Sequence, residues 1–144
     1  MKKGSIGLQI YLLGALKNRS IIATANALRE AGHVVFDDWL SPGEEADEKW
    51  QAYERERGRT YKEALAGYHA KHVFDFDYTH LNEADTVIMV LPCGKSGHLE
   101  FGWAIGQGKK GYILFDEEPA RYDVMYAFAT DIFFSLDDLL KEVS

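Results

Sequence analysis

What this sequence lacks narrows it before any motif is sought. Its one cysteine, Cys93, rules out an intramolecular disulfide and suits a reducing, cytoplasmic compartment. No long hydrophobic run is present: the most apolar stretch, TVIMVLP at 86–92, is far too short to span a bilayer, so no membrane partner is expected. The opening MKKGSIGLQIYLLG has the basic front and apolar run of a secretory leader but no small-residue cleavage site, and a first strand explains it better. Basic charge is scarce. A net charge of -7 argues against binding polymeric nucleic acid, which needs a basic field to displace counterions. A single nucleoside or nucleotide needs only a few local donors and stays open.

Several familiar sites are missing too. The loop GALKNRS at 14–20 is neither GxGxxG nor GxxxxGK[ST], which removes the dinucleotide fingerprint and the P-loop. No CxxC or HExxH spacing occurs, and five scattered histidines make no metal site, so no metal or redox cofactor is expected. A phosphorelay receiver would want an Asp where the chain has Pro92 and Cys93.

What remains is an ordinary globular composition, 47% hydrophobic and 27% charged, over 144 residues, without repeats, low-complexity segments or linkers. One domain over 1–144 is expected. Residues 5–13 form an apolar first strand closing on Gly14. Asn18 or Ser20 can cap a helix whose Ile21, Ile22, Ala25 and Leu28 recur at helical spacing, and Gly32 suits its C-terminus. Residues 33–36 make a second strand, ending at Asp37, Asp38 and Trp39. Two helices, broken at Gly58, are expected between 41 and 84. Residues 86–91 are a continuous apolar run, as in a central parallel strand buried on both faces. A loop at 92–97 leads to a helix at 98–108, and further strands fall at 111–115 and 131–134. Ser135 caps a terminal helix.

Strands alternating with helices imply a mostly parallel five-stranded sheet of order 2-1-3-4-5 in a three-layer α/β sandwich. Ligands then bind at the carboxyl ends of the first and third strands, where the loops 14–19 and 92–97 meet. Glu100 is the sharpest residue near that point. An acid in a first helical turn complements the macrodipole as a plain structural feature. Followed by the apolar FGWAIG, it is also a poorly hydrated yet ionised carboxylate, suited to nucleophilic attack.

Glycosidic chemistry needs a second carboxylate to assist the leaving group. Asp75 and Asp77 in VFDFDYTH qualify, as do Asp37 and Asp38, though each also serves as a turn residue or solvated charge. Tyr11 is a core aromatic whose hydroxyl is in reach of the site. Gly14, Lys17 and Arg19 on one loop, and Lys95, Ser96 and His98 on the other side, are placed to hold phosphate or ribose hydroxyls.

Together IYLLGAL (10–16), AGHVVFDDW (31–39), LNEADTVIMVLPCGKSGHLEFGWAIGQGKKGYIL (81–114) and, more weakly, DIFFSLDDL resemble the nucleoside 2-deoxyribosyltransferase superfamily. That superfamily also contains deoxynucleoside-monophosphate N-glycosidases. GHLEFGWAIGQGK is the most specific part. The resemblance implies a flavodoxin-like fold, Glu100 as the nucleophile that becomes glycosylated, and Tyr11 as the residue that orients it. The frame of Leu81 and Asp85 places the catalytic Asp on Asp77. Arg19 answers to a phosphate-binding Arg, but Ala15 stands where a Ser accompanies it in the monophosphate-specific branch. Asp131 is the nearest counterpart of a polar group lent to a neighbouring subunit, which implies a homo-oligomer. The implied activity is cleavage or transfer of a nucleoside N-glycosidic bond. A hydrolase of nucleoside monophosphates or NAD, and a non-catalytic nucleotide sensor, are the rival readings.

Overall fold

Successive side chains of a strand point to opposite faces, and that alternation divides this protein in two. The computed structural model describes residues 7–144. In β1 (Gln9–Leu13), Ile10 and Leu12 enter one core while Tyr11 and Leu13 enter another. Of the expected strand at 5–13, residues 5 and 6 lie outside the described residues, and Gly7 and Leu8 precede pairing. β1 lies between β2 (Val34–Phe36) and β3 (Thr86–Val90), followed by β4 (Lys110–Leu114) and β5 (Asp131–Phe133). The order is β2-β1-β3-β4-β5, and every pairing is parallel. All of β3 is buried, which is why its sequence is apolar without alternation. The β1 and β3 entrances are joined through Asp85, whose Oδ2 accepts from Gln9 N at 3.0 Å.

One face is covered by α1 (Ser20–Glu30) and α6 (Leu136–Val143). Ile21, Thr24, Ala25 and Leu28 follow helical spacing and are buried. Ile22, expected in that stripe, is 60% exposed, because one residue further along rotates it off the buried face. Leu28 and Leu139 are fully buried; each contributes about 1.5–3 kcal/mol of apolar burial. Gly32, with φ of 97°, reverses the chain into β2, a conformation open to glycine without strain. Ser135 caps α6, its hydroxyl accepting from Asp138 N at 3.1 Å. The cap expected for α1 differs. Arg19 holds the N-cap position, Ser20 is the first helical residue, and Asn18 accepts from Ser20 N at 3.0 Å.

The other face is covered by α5 (Lys95–Gly106) and, beside it, α4 (Tyr68–Glu83), which contribute Phe101, Ala104 and Leu81. Between β2 and β3 the chain forms a short 3-10 turn, Asp38–Leu40, then α2 (Ala46–Glu56), α3 (Tyr61–Leu65) and α4. Two helices were expected there. The break at Gly58 is present, with φ of 70°. A second break falls at Gly67, because a capping box between Thr60 and Glu63 starts a helix that lasts little more than a turn. α4 is tied down at its C-terminus by Lys109, whose ammonium donates to the carbonyls of Asn82, at 2.9 Å, and Ala84.

The helix after β3 begins at Lys95, three residues before the expected 98. Its N-cap, Gly94, has no capping side chain, so no local sequence signal marks the start. Gly97 then sits against Cys93: a Cβ there would lie 2.0 Å from the Cys93 sulfur. This contact lets α5 approach the end of β3. No helix among the described residues is long and apolar enough to cross a membrane.

Candidate active site

The chain reverses its winding direction between β1 and β3, and the loops leaving those strands are stitched together at that point. Ala15 N donates to Pro92 O at 3.1 Å. The buried Asn18 amide donates to Val90 O at 3.1 Å and Pro92 O at 3.2 Å. Asn18 was anticipated only as a helix cap; its partners lie 72 and 74 residues away, beyond any local signal. Gly14 is needed for space: a Cβ would fall 2.3 Å from the Ile21 side chain and 3.3 Å from Val90 O. Trp39 closes the flank, its indole N–H donating to Leu12 O at 2.7 Å.

From this base Tyr11 and Glu100 meet. The fully buried Tyr11 donates its hydroxyl proton to Glu100 Oε2 at 2.6 Å, the short distance of a charge-assisted bond. Glu100 is half-buried in the second turn of α5, because the helix starts early. The first-turn place against the macrodipole is therefore lost, and Glu100 takes a side-chain donor instead. Its ionisation differs from expectation as well. Burial pushes the carboxyl up to about 7, the Tyr11 hydrogen bond works against that, and the nearby Asp77 charge adds to it. Rather than standing permanently ionised, Glu100 titrates near neutrality. Tyr11 is driven far upward by burial and by Glu100, so it remains a donor.

Asp75 and Asp77 separate cleanly. Asp75 is exposed on α4 and pairs with Lys71 at 3.4 Å, one helical turn away. Asp77 is half-buried, and burial pushes it up to about 6, against the opposing influence of His80. Asp77 thus ionises first, and its charge then resists ionisation of Glu100. Between about 6 and 7 one of the two carboxyls is therefore protonated and the other ionised.

Aromatic rings connect the two carboxylates. Phe36 lies 5.1 Å from Tyr11 and is stacked on His80 at 4.0 Å and 11°. Phe76 meets both Phe36 and His80 edge-on. Phe36, Trp39 and His80 were not anticipated here, since nothing in the local pattern links β2, the following turn and α4. Cys93 also borders the pair; burial, then Glu100, pushes its thiol up to about 11, which makes it a poor nucleophile.

The other anticipated residues do not all converge. Lys95 and Ser96 are exposed in the first turn of α5, at the mouth of the two loops. His98 is exposed and turned sideways, hydrogen-bonded to Gly94 O at 2.8 Å and the Tyr126 hydroxyl at 2.9 Å. The Arg19 side chain is 88% exposed and reaches Glu44 at 3.8 Å instead of the loops. Asp38 is exposed in the 3-10 turn, while Asp37 is held by Arg29 at 2.8 Å. Asp131 opens β5 beside Tyr112, which belongs to the α1 and α6 core, so it lies on the opposite sheet face from Glu100.

Two clefts lie nearby, of about 390 Å³ beside Leu91, Phe115 and Arg121, and about 520 Å³ beside Met89, Phe101 and Phe128. Asp123 and Tyr126 line both, and neither is lined by Tyr11, Asp77 or Glu100.

No protein-family model matches this chain, and no curated protein does. Solved structures do. The chain superposes on a 2-deoxyribosyltransferase from Bacillus psychrosaccharolyticus with a TM-score of 0.61 and 16% identity, covering 91% of this chain and 89% of that one. It superposes on the CMP N-glycosidase BcmB of Clostridium botulinum with a TM-score of 0.52 and 20% identity, covering 92% and 96%. At such identities the likeness establishes a shared three-layer α/β fold, the fold anticipated from the sequence resemblance.

Proposed function

We propose that this protein is an enzyme that cleaves or transfers the N-glycosidic bond of a (deoxy)nucleoside, with Glu100 as nucleophile, Asp77 as acid and Tyr11 holding Glu100 in place. The observation that carries this reading is the Tyr11–Glu100 hydrogen bond of 2.6 Å at the switch point, with Asp77 close enough to perturb both groups. The names of the two structural neighbours, a deoxyribosyltransferase and a CMP N-glycosidase, point the same way.

In the first step a Glu100 carboxylate oxygen attacks C1′. The C1′–N bond breaks, an ester bond forms, and Asp77 gives its proton to the departing base. In the second step an incoming base or water attacks C1′, the ester breaks, and Asp77 recovers a proton from the attacking group. The reactive form carries the proton on Asp77. Because Asp77 ionises before Glu100, this is the minor of the two singly protonated forms, and Tyr11 raises its share by stabilising charge on Glu100.

The whole chain, 1–144, is read as one domain of this kind, working on a small nucleoside in a reducing, cytoplasmic setting. We read it as a homo-oligomer. Tyr122 is 80% exposed, Phe128 67% and Phe74 65%, and apolar surface of this kind is seldom left bare on a monomer. The carboxylates lie outside both clefts, so a second copy would also supply a missing wall; Asp131, facing away from its own Glu100, is a candidate for that. Arg19, engaged with Glu44, gives little support to a monophosphate preference.

A panel of nucleosides and monophosphates, incubated with and without free bases and resolved by chromatography, tests the reading. New nucleosides formed only with added base establish transfer, and base release without acceptor establishes hydrolysis. Binding without either product means a sensor and overturns the proposal.

A further inference from the structure

The mechanism above needs two carboxylates, on α4 and α5, to hold a fixed relation, yet no hydrogen bond joins them directly among the described residues. One side chain not used in that mechanism touches the structure around both. His80 follows Asp77 by three residues on α4, which places the two on one helix face. Its ring lies flat on Phe36, with centroids 4.0 Å apart, and Phe36 lies 5.1 Å from the Tyr11 ring whose hydroxyl holds Glu100. Its Nδ1 lies 2.8 Å from Phe76 O. A carbonyl can only accept, so Nδ1 carries a proton on that side of the ring. The ring is thus fixed on one side by an aromatic face and along one edge by its own helix.

We propose that His80 is a positioning residue for the carboxylate pair: its clamped ring sets the place of Asp77 and, through Phe36, the orientation of Tyr11 toward Glu100. This rests on the reading of Glu100 and Asp77 given above, and it adds a residue outside the reacting groups. Two geometric features carry this, and an electrostatic one agrees with them. The stack with Phe36 ties α4 to β2. The bond to Phe76 O fixes the rotamer. Its charge also opposes the effect of burial on Asp77. The charged or titratable groups in this neighbourhood include Asp77 on α4 itself, Tyr11 on β1, Cys93 ahead of α5 and Glu100 on α5, while β2 contributes the apolar Phe36.

The two aspects of the role separate by substitution. His80→Phe keeps a flat ring for Phe36 and removes the charge and the Nδ1 proton. His80→Ala removes everything. The direct readout is a carbon-13 NMR titration of the Asp and Glu carboxyls in the substrate-free protein, which is independent of whether the substrate has been identified. In His80→Phe the Asp77 midpoint is expected to rise by roughly half a pH unit or more, as loss of a neighbouring cation requires, with Glu100 changed little. In His80→Ala the Glu100 midpoint should move too, because Tyr11 loses the support of a fixed Phe36. Midpoints of both carboxyls unchanged in both variants would overturn the proposal, whatever the stability of those variants. Should His80→Ala fail to fold by circular dichroism, His80→Phe alone decides, through the Asp77 midpoint. On a nucleoside that the wild type turns over, His80→Ala should lower kcat about tenfold with KM little altered. His80→Phe should recover part of that loss while its low-pH limb moves upward with the Asp77 midpoint. A wild type inert on every nucleoside counts against the proposed function; unmoved midpoints count against His80.

Discussion

Alternate residues of one strand build two unlike regions. Ile10 and Leu12 of β1 turn to the α1 and α6 face, among Ile21, Leu28, Ile88 and Leu139, in a core of large aliphatic side chains. Tyr11 and Leu13 turn to the α4 and α5 face, where a phenol, two carboxyls and a thiol share the space beneath an aromatic cluster. The first region stabilises the sheet by apolar burial, which is insensitive to pH. The second holds partly dehydrated acids, which lower stability once ionised. The comparison shows how one sheet separates the support of a site from its chemistry: a shift of a single residue along β1 exchanges a structural position for a reactive one.

Substitutions on the two faces should therefore fail in different ways. The largest effect expected is on the α5 side. Glu100→Gln should retain the fold and lose turnover by about a thousandfold or more, as removal of a nucleophile does. Leu28→Ala, on the opposite face, should cost roughly 2–5 kcal/mol of stability while the folded fraction keeps its turnover. Chemical denaturation and steady-state rates on both variants measure this. Similar turnover losses per folded molecule would erase the distinction.

Within the reactive face, Asp77 and Asp75 provide the next contrast. Asp77→Asn should reduce turnover by about 10²-fold or more, the usual worth of a placed acid, and Asp75→Asn, which only frees Lys71, should change it little. The reverse result would make Asp75, on the other face of α4, the acid.

The pH dependence comes third. With Asp77 at about 6 and Glu100 at about 7, kcat/KM should trace a bell that falls below about 6 and above about 7. Tyr11→Phe removes a bond that draws Glu100 downward, so the high-pH limb should move up and the optimum rate fall about tenfold. A flat profile from pH 5 to 8 would contradict the shared proton.

The smallest effect concerns stability. Glu100 has a folded value of about 7 against an ordinary 4.5. For a carboxyl raised on folding, stability is fully present below the unfolded value and is lost as pH rises through the folded one. Glu100→Gln should therefore gain stability over the wild type between about pH 5 and pH 8, on the order of 1 kcal/mol once its partial exposure is allowed for. The deficit of Leu28→Ala should stay constant across that range. A stability difference between Glu100→Gln and the wild type that does not change with pH would refute the dehydration account.

The sheet order was legible because β3 is continuously apolar and the helices alternate with strands, patterns that local residues carry. The nearness of Glu100 to the switch point was legible because a helix start adjoins it in any fold of this order, whereas the pairing of Tyr11 with Glu100 came only from the family resemblance. The rest depended on tertiary contact. Nothing around Gly94 signals that α5 begins early, so the ionisation of Glu100 was misjudged. Asn18 bonds to carbonyls more than seventy residues away, and His80 gains its place by stacking on a different element. Asp131 shows the converse. Its position in sequence is plain, but the register with Tyr112 puts it behind the sheet.

The central claim is that Glu100 carries the sugar between two displacements. A 2′-fluoro-arabino nucleoside addresses it, because the electronegative fluorine disfavours the oxocarbenium-like transition state and should prolong the ester. The analogue would be offered with several bases, as nucleoside and as monophosphate, and the intact protein weighed afterwards. The expected result is one added fluorosugar per chain, placed on Glu100 by peptide mapping and absent from Glu100→Gln. Release of free base with no adduct on any analogue would contradict the claim and leave Glu100 as a base for direct attack by water.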